Sequence, residues 1–481
     1  MSKPTVDWQA EVEKRKDELL HATQQFLQIR SVLDMSTATQ GAPFGTEIRR
    51  AFDYVLNICR EAGMEIKDVE GYAGHAEFGS GTELIGVLSH VDVVPEGDGW
   101  SVPPYEGRIV DGKLIARGAI DDKGPAMASV FAAKIVKELG LPLNKRVRLI
   151  FGTDEETSWR CVDRYFETEE MPSMGFTPDA DFPIIYAEKG VTDLFVQQTF
   201  ADWTARGAAE VDEPEAVLHS FHSGLRVNMV PDKAEAALLL RNGSAQAVRD
   251  RFAEYLQREE LVGTARENGE HLVLTLEGRS AHGSTPEQGL NAGTYLNHFL
   301  TGLKLDARGA AFAAFVETYF HQQHHGESLG IAADDEEIGP LTVNTGVFHY
   351  EAEGEIHYLV NIRYPHSAPY DGWEPIFLEK LKQAGYTLTV NENRGPLYVD
   401  KSHPLITTLQ RVWTEQSGQE ANLIAIGGAT YGRALKVGVA FGPLFPGRPD
   451  SAHQRDEHIF VDDLLKATAL YAQAIYELAR D

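Results

Sequence analysis

From Trp8 to Ile29 apolar residues recur at helical spacing, which predicts one amphipathic helix. After the polar stretch SVLDMSTATQGAPFG the same spacing predicts a second over Glu47 to Ala62. The pattern then becomes continuous. ELIGVLSHVDVV is an unbroken apolar run rich in branched residues, as in a strand buried on both faces of a parallel or mixed sheet. GPAMASVFAAKIVKELG follows as a helix, with Pro125 in the first turn, where its missing N–H costs nothing, and Gly140 where the helix stops. RVRLIFGTDEE predicts another strand, this one ending in acids. Strand, helix, strand implies a crossover connection, and in such sheets functional side chains gather beyond the carboxyl ends of strands.

From about Gly190 the texture changes: shorter runs of alternating polarity, LVLTLEG and EIHYLVNIRYP, mix with helices such as NAGTYLNHFLTGLK. Near NRGPLYVD the earlier style returns, with a helix PLITTLQRVWTEQSG, a glycine-rich turn IAIGGATYGR and a final helix from Val461 to Arg480. The expected fold is α/β: a domain with a mixed sheet flanked by helices, split into residues 1–189 and 393–481 by an inserted α+β domain of residues 190–392. The insertion is long enough for two pseudo-repeats, although no repeat shows in the sequence.

Composition narrows the function classes. With 72 Asp and Glu against 44 Lys and Arg the formal charge is −28, which repels phosphate backbones and anionic lipid surfaces and argues against nucleic-acid and membrane partners. Cys59 and Cys161 are the only cysteines, too few for a disulfide framework or a four-cysteine zinc site, and they suit a reducing compartment. The opening MSKPTVDWQAEVEKRKDELL is charged from the start and no apolar run approaches about 18 residues, so a cytoplasmic location is expected.

Several motifs could carry chemistry, and each alone also has a plainer reading. His90 and Asp92 in SHVDVVP stand two apart at a strand end, so both side chains leave one face; this suits a metal-bound imidazole steadied by a carboxylate, or a simple polar pair. Asp121 and Asp122 in ARGAIDDKGP are adjacent carboxylates that repel unless positive charge compensates them, which Lys123 could do in an ordinary turn. Glu155 and Glu156 in GTDEETSW follow a strand and point different ways, so they could divide metal binding and proton transfer, or be solvated. Asp179 in FTPDADFP sits in a proline-bounded turn, and His453 in SAHQRDEHIF precedes the last helix, where it could be a surface residue or cap.

Taken in order, H-x-D, D-D-K-G, E-E, P-D and a late His, each at a strand or loop junction, resemble the co-catalytic di-zinc metallopeptidases. That family includes carnosinases, aminoacylases, acetylornithine deacetylases, succinyl-diaminopimelate desuccinylases and bacterial PepV-type dipeptidases. The resemblance spans essentially the whole chain, and GAIDDKGP, TPDADFP, GGATYGR and YAQAIYELARD look most like the PepV type. It implies that Asp121 bridges two Zn2+ ions, one also held by His90 and Asp179 and the other by Glu156 and His453. Co2+ and Mn2+ are alternatives, because the donors are all imidazole and carboxylate. It further implies that Asp92 orients His90 and that Glu155 is the general base and acid. In such a site two metals about 3.5–4 Å apart acidify a bridging water, whose proton Glu155 passes to the leaving amine.

The insertion then resembles the family's lid. His282 in EGRSAHGSTPEQGLNAG matches the lid histidine expected to stabilise the oxyanion, and Asn228 in SGLRVNMVPD and Arg363 in VNIRYP match residues that hold the substrate's far end. Gly427, Gly428 and Thr430 are expected to line the same pocket. Ser89 stands where many relatives have Gly, and Ala429 interrupts what is often a glycine run. HQQHHGESLG carries His321, His324 and His325 at irregular spacing and reads as a solvated loop rather than a further metal site. The resemblance implies a dipeptidase acting on unblocked dipeptides, working as a monomer because a doubled lid supplies what dimeric relatives take from a partner. An N-acyl amino acid deacylase or desuccinylase is the alternative activity, a homodimer the alternative assembly, and a non-catalytic metal-binding protein the third reading, disfavoured by the presence of Glu155.

Overall fold

The computed structural model describes residues 6–207 and 211–480, which divide into two compact units. Of these, residues 6–187, 397–425 and 430–480 belong to the first, residues 188–207, 211–396 and 426–429 to the second.

The first unit is built on a mixed sheet of nine strands. Its order is Glu65–Val69, Ala73–Gly79, Arg146–Gly152, Leu84–His90, Met174–Thr177, Gly438–Ala440, Ile184–Glu188 and Leu397–Tyr398, with Leu423–Ile426 also pairing with Ile184–Glu188. At its centre Leu84–His90 runs parallel to both Arg146–Gly152 and Met174–Thr177, and every one of its residues is buried. Burial on both faces is why this segment shows no polar alternation. Helices Lys123–Glu138 and Val461–Arg480 pack on each other and on that strand.

The single helix expected over Trp8 to Ile29 is two, Trp8–Glu13 and Lys16–Leu27. The first lies on Val461–Arg480, where Trp8 meets Tyr476 at 5.8 Å between ring centroids, and the second lies on Lys123–Glu138. The break lets one amphipathic stretch follow two different helices, and Arg15 at the break is held by Glu11 and Glu138.

The second unit is an antiparallel sheet of eight strands, ordered Val262–Asn268, His271–Glu277, Lys233–Leu240, Ala216–Ser223, Thr342–Glu351, Ile356–Tyr364, Gly190–Gln198 and Thr387–Arg394. It consists of two halves of the same design. In one, the hairpin of Ala216–Ser223 and Lys233–Leu240 leads through helix Ala245–Arg258 to edge strand Val262–Asn268, and His271–Glu277 fills the gap between. In the other, the hairpin of Thr342–Glu351 and Ile356–Tyr364 leads through helix Tyr370–Ala384 to edge strand Thr387–Arg394, and Gly190–Gln198 fills the gap. The filling strand comes last in the first half and opens the whole unit in the second. The two pseudo-repeats are thus circularly permuted, and no fixed sequence offset relates them. They join where Ala216–Ser223 pairs with Thr342–Glu351. One core binds the sheet to its helices through Phe252, Phe299, Phe312, Phe315 and Phe377.

Candidate active site and metal centre

Three parallel strands of the first unit end side by side. His90 closes Leu84–His90, Glu155 and Glu156 lie just beyond Arg146–Gly152, and Asp179 lies just beyond Met174–Thr177. Asp121 and Asp122, joined by a cis peptide, precede helix Lys123–Glu138, and His453 comes from the loop before the last helix.

Asp121 stands between two imidazoles. Its Oδ1 is 3.0 Å from His90 Nε2, which is also 3.6 Å from Asp179 Oδ2. Its Oδ2 is 2.9 Å from His453 Nε2, which is also 3.0 Å from Glu156 Oε2. His453 holds this position with φ at +61°, a left-handed conformation that costs a non-glycine residue energy. The structure therefore brings together the five residues named from the sequence as metal ligands.

Asp92 positions several of them at once. Its carboxylate accepts the main-chain N–H of Glu155 and of Glu156, both at 3.1 Å. Its main-chain oxygen is 3.0 Å from His90 Nδ1, nearer than its carboxylate at 3.5 Å. Lys123 does not neutralise the aspartate pair as an ordinary turn would have it: its ammonium donates to the carbonyls of Ile29 at 2.5 Å and Phe26 at 3.4 Å. Burial pushes it down to about 7. Asp122 instead accepts the His90 main-chain N–H at 3.0 Å. The glycine of the D-D-K-G motif is sterically required, since a Cβ on Gly124 would lie 2.1 Å from the Ala119 carbonyl oxygen.

Two residues of this site escaped the sequence reading. Glu457, fully buried, accepts the main-chain N–H groups of Ile120 at 3.0 Å and Asp121 at 3.2 Å through one oxygen, and meets Arg117 Nη1 at 2.6 Å through the other. It thereby fixes the peptide that carries Asp121. Arg117 and Glu457 lie inside the motifs ARGAIDDKGP and SAHQRDEHIF but 340 residues apart, so no local signal links them.

The electrostatics show a crowd of buried acids. Burial and acidic neighbours raise Glu155 well above the usual carboxylate range, Glu156 to about 7 and Asp179 to about 6. Burial would lower His90, but Asp179, Asp121 and Asp92 outweigh it and hold it well above the usual imidazole value. Hydrogen bonds to Asp121 and Glu156 raise His453 to about 11. For Asp121 burial is outweighed by His453 and His90, and its carboxyl falls below the usual range. Glu156 Oε1 and Asp122 Oδ1 are buried without a hydrogen-bond partner. Converging carboxylates, two imidazoles, an orphaned ligand oxygen and no thiolate together fit divalent cations of the zinc type.

In the second unit Asn228 and His282 stand on adjoining loops, where Met229 bridges to His282 and the Gly283 N–H donates to the Asn228 carbonyl at 2.8 Å. His282 Nδ1 accepts the Ser284 N–H at 3.2 Å, and burial together with the Arg363 charge holds this imidazole below its ordinary pKa. Arg363 is buried near the end of strand Ile356–Tyr364, its Nε donating to Asn361 Oδ1 at 2.9 Å. Gly427 approaches the same loop, since a Cβ there would lie 3.3 Å from Ser284 Cβ, and Gly428 follows it. Thr430 belongs to the first unit, where its hydroxyl accepts the Gly432 N–H at 3.3 Å and opens the short turn Tyr431–Ala434. Tyr431 sets its ring edge-on to His90 at 6.0 Å.

HQQHHGESLG is the loop expected from its spacing, a run of turns, but its histidines are half-buried rather than solvated. His321 stacks on His298 at 4.6 Å between ring centroids, and His325 Nδ1 lies 2.9 Å from the Leu341 carbonyl oxygen. Tertiary packing of the preceding helix draws these side chains inward.

Residues 86–477 match the model of Peptidase family M20/M25/M40. The chain is 48% identical over 478 residues to "Putative dipeptidase YtjP" of Bacillus subtilis (strain 168), covering 99% of this chain and 100% of that protein. It is 39% identical over 471 residues to a "Putative dipeptidase" of Staphylococcus epidermidis (strain ATCC 12228 / FDA PCI 1200), covering 98% and 99%. Its fold is similar to that of human carnosine dipeptidase 1, with a TM-score of 0.55 and 16% identity over 100% of both chains. Aminoacylhistidine dipeptidase from Vibrio alginolyticus is similar at a TM-score of 0.57 and 12% identity, covering 95% and 96%.

Proposed function

Because the chain belongs to Peptidase family M20/M25/M40 and is a metal-dependent hydrolase, we propose that it is a dipeptidase that cleaves unblocked dipeptides with two zinc ions. The observation that carries this reading is the division of Asp121, one oxygen toward His90 and the other toward His453. The five donors sort into two sets that share one residue: His90, Asp179 and Asp121 would hold one ion, and Glu156, His453 and Asp121 the other. When bound, the ions would supply the positive charge that polarises a peptide carbonyl and acidifies water.

The chain's own residues do the rest. Glu155, fixed through its main-chain N–H by Asp92, takes the proton of the attacking water and hands it to the departing amine. The carbon–nitrogen bond breaks with its electron pair on that amine, and no bond to the enzyme forms. His282, kept neutral, would donate to the developing oxyanion, and Arg363 and Asn228 would hold the substrate's free carboxylate. Gly427, Gly428 and Thr430 would shape the substrate pocket.

The dipeptidase names of the Bacillus and Staphylococcus relatives favour a free dipeptide over an N-acyl amino acid. We read the protein as a monomer, on the ground that both halves of the second unit's sheet come from one chain. A cytoplasmic location is inferred from Cys59 and Cys161, both free buried thiols as suits a reducing compartment. Among the described residues no helix is long and apolar enough to cross a membrane.

The test is hydrolysis of Ala-Leu and β-Ala-His against N-acetyl-Leu by purified protein, with zinc, with chelator, and as Glu155→Ala. Cleavage of the free dipeptides, stopped by chelator and lost in the variant, is expected. Turnover of N-acetyl-Leu alone would replace the reading with a deacylase, and silence on all three substrates would refute it.

A further inference from the structure

A second constellation of metal-ligand side chains lies wholly within the second unit. His298 comes from helix Ala292–Thr301, Glu317 from helix Ala307–Tyr319, and His321 from the turn that follows. One donor atom from each lies within 4.8 Å of the other two. His298 Nδ1 is 2.9 Å from Glu317 Oε1, and the His321 ring is stacked on that of His298 at an interplanar angle of 10°. Tyr295 sets its ring against His321 at 5.0 Å and Tyr255 against His298 at 6.0 Å, so aromatic walls flank the group.

A plain imidazole–carboxylate hydrogen bond accounts for only part of this. Glu317 Oε2 and His321 Nδ1 are both buried without a hydrogen-bond partner. Leaving a buried polar atom unsatisfied is unfavourable. A cation held between the carboxylate oxygen and the imidazole nitrogen would satisfy both orphaned atoms at once. Donors about 2.0–2.1 Å from a tetrahedral zinc stand about 3.3 Å from one another, so His298 and Glu317 are already near ligand spacing.

We propose that His298, Glu317 and His321 bind a divalent late transition ion of the zinc type, a site separate from the five-residue cluster of the first unit. Two imidazoles and one carboxylate select such an ion over magnesium or calcium, which prefer all-oxygen shells. Three protein donors leave a fourth position for water, which suits an exchangeable ion more than a closed structural one. Because the two donor-bearing helices are consecutive, an ion there ties them to each other within the second unit. The inference does not depend on the dipeptidase reading, and its test reads metal content rather than turnover.

A second group in the same unit, His349, Glu355 and His357, also falls within 4.8 Å, and serves as the control. There His357 Nδ1 is paired with Glu355 Oε1 at 3.0 Å, and that carboxylate's side chain is half exposed. The experiment strips the full-length chain of metal, dialyses it to equilibrium against zinc, and measures zinc per chain by mass spectrometry. The wild type is compared with His298→Gln/His321→Gln and with His349→Gln. The double variant is expected to bind one equivalent fewer zinc, and His349→Gln is expected to bind as the wild type does. If the double variant fails to fold, Glu317→Gln carries the same expectation at lower perturbation. Unchanged stoichiometry in a folded variant would overturn the site, and so would loss of the equivalent from His349→Gln instead.

Discussion

The two sheets place chemistry in opposite ways. In the first unit, parallel strands Leu84–His90, Arg146–Gly152 and Met174–Thr177 point in one direction, so the residues at and just beyond their carboxyl ends converge: His90, Glu155, Glu156 and Asp179 meet around Asp121. In the second unit every strand pairing is antiparallel, neighbouring strands end at opposite edges, and the candidate residues Asn228 and His282 stand on loops instead. A parallel sheet supplies a shared rim where several donors can reach one point. An antiparallel sheet supplies rows along a face and single residues at its loops. Losses in the first unit should therefore remove the reaction, and losses in the second should weaken it by degrees.

The largest effect expected is that of Glu155→Ala, which removes the proposed proton carrier and leaves the proposed ligands in place. Its kcat should fall by about 10²–10⁴-fold with KM little changed. Steady-state kinetics together with a measurement of bound zinc would check this, and a variant that loses its metal as well would place Glu155 among the ligands. Next comes His282→Asn, for which kcat should fall by about 10²–10³-fold, with zinc content intact. A rise in KM at unchanged kcat would move His282 from the oxyanion to ground-state binding and sharpen the contrast, leaving the second unit a role in binding alone.

A smaller loss is expected where a residue acts at one remove. Glu457→Gln keeps a carbonyl oxygen for the Ile120 and Asp121 N–H groups but weakens the buried contact with Arg117. Removal of such a supporting partner typically costs about 10–100-fold in metal affinity. Zinc titration of the stripped protein should show the drop, with activity at saturating zinc close to that of the wild type. If saturating zinc does not restore activity, Glu457 does more than position Asp121.

How far these features can be read from sequence depends on how local their causes are. Leu84–His90 is legible because burial on both faces leaves a continuous apolar run, and Pro125 and Gly140 mark the ends of a helix by their own backbone chemistry. The metal-ligand candidates are legible as types at junctions, His90 with Asp92 above all. The break at Lys14–Arg15 is not, because it arises from the two helices that the segment follows. Nor is the doubled design of the second unit, whose halves borrow their inner strand from opposite ends. Arg117 with Glu457, and His298 with His321, are likewise made neighbours by the fold alone.

The smallest effect tests stability and sets two imidazoles of the first unit against each other. His453 is raised to about 11 by Asp121 and Glu156, whereas His75 is lowered to about 4, first by burial and then by the Arg148 charge. His75 is buried beside Tyr165, its Nδ1 2.6 Å from the phenol oxygen, and plays no part in the site. In the unfolded chain it takes up a proton near its ordinary value of about 6.5, but in the folded chain only near 4, so the unfolded state binds more protons between those values. Its contribution to stability is complete above about pH 6.5 and is lost as the pH falls toward 4. Denaturant unfolding of wild type and His75→Gln across that range should therefore give curves that converge toward acid, the variant lacking up to one proton of slope. Parallel curves would show that His75 titrates alike in both states, and that burial beside Tyr165 does not depress it.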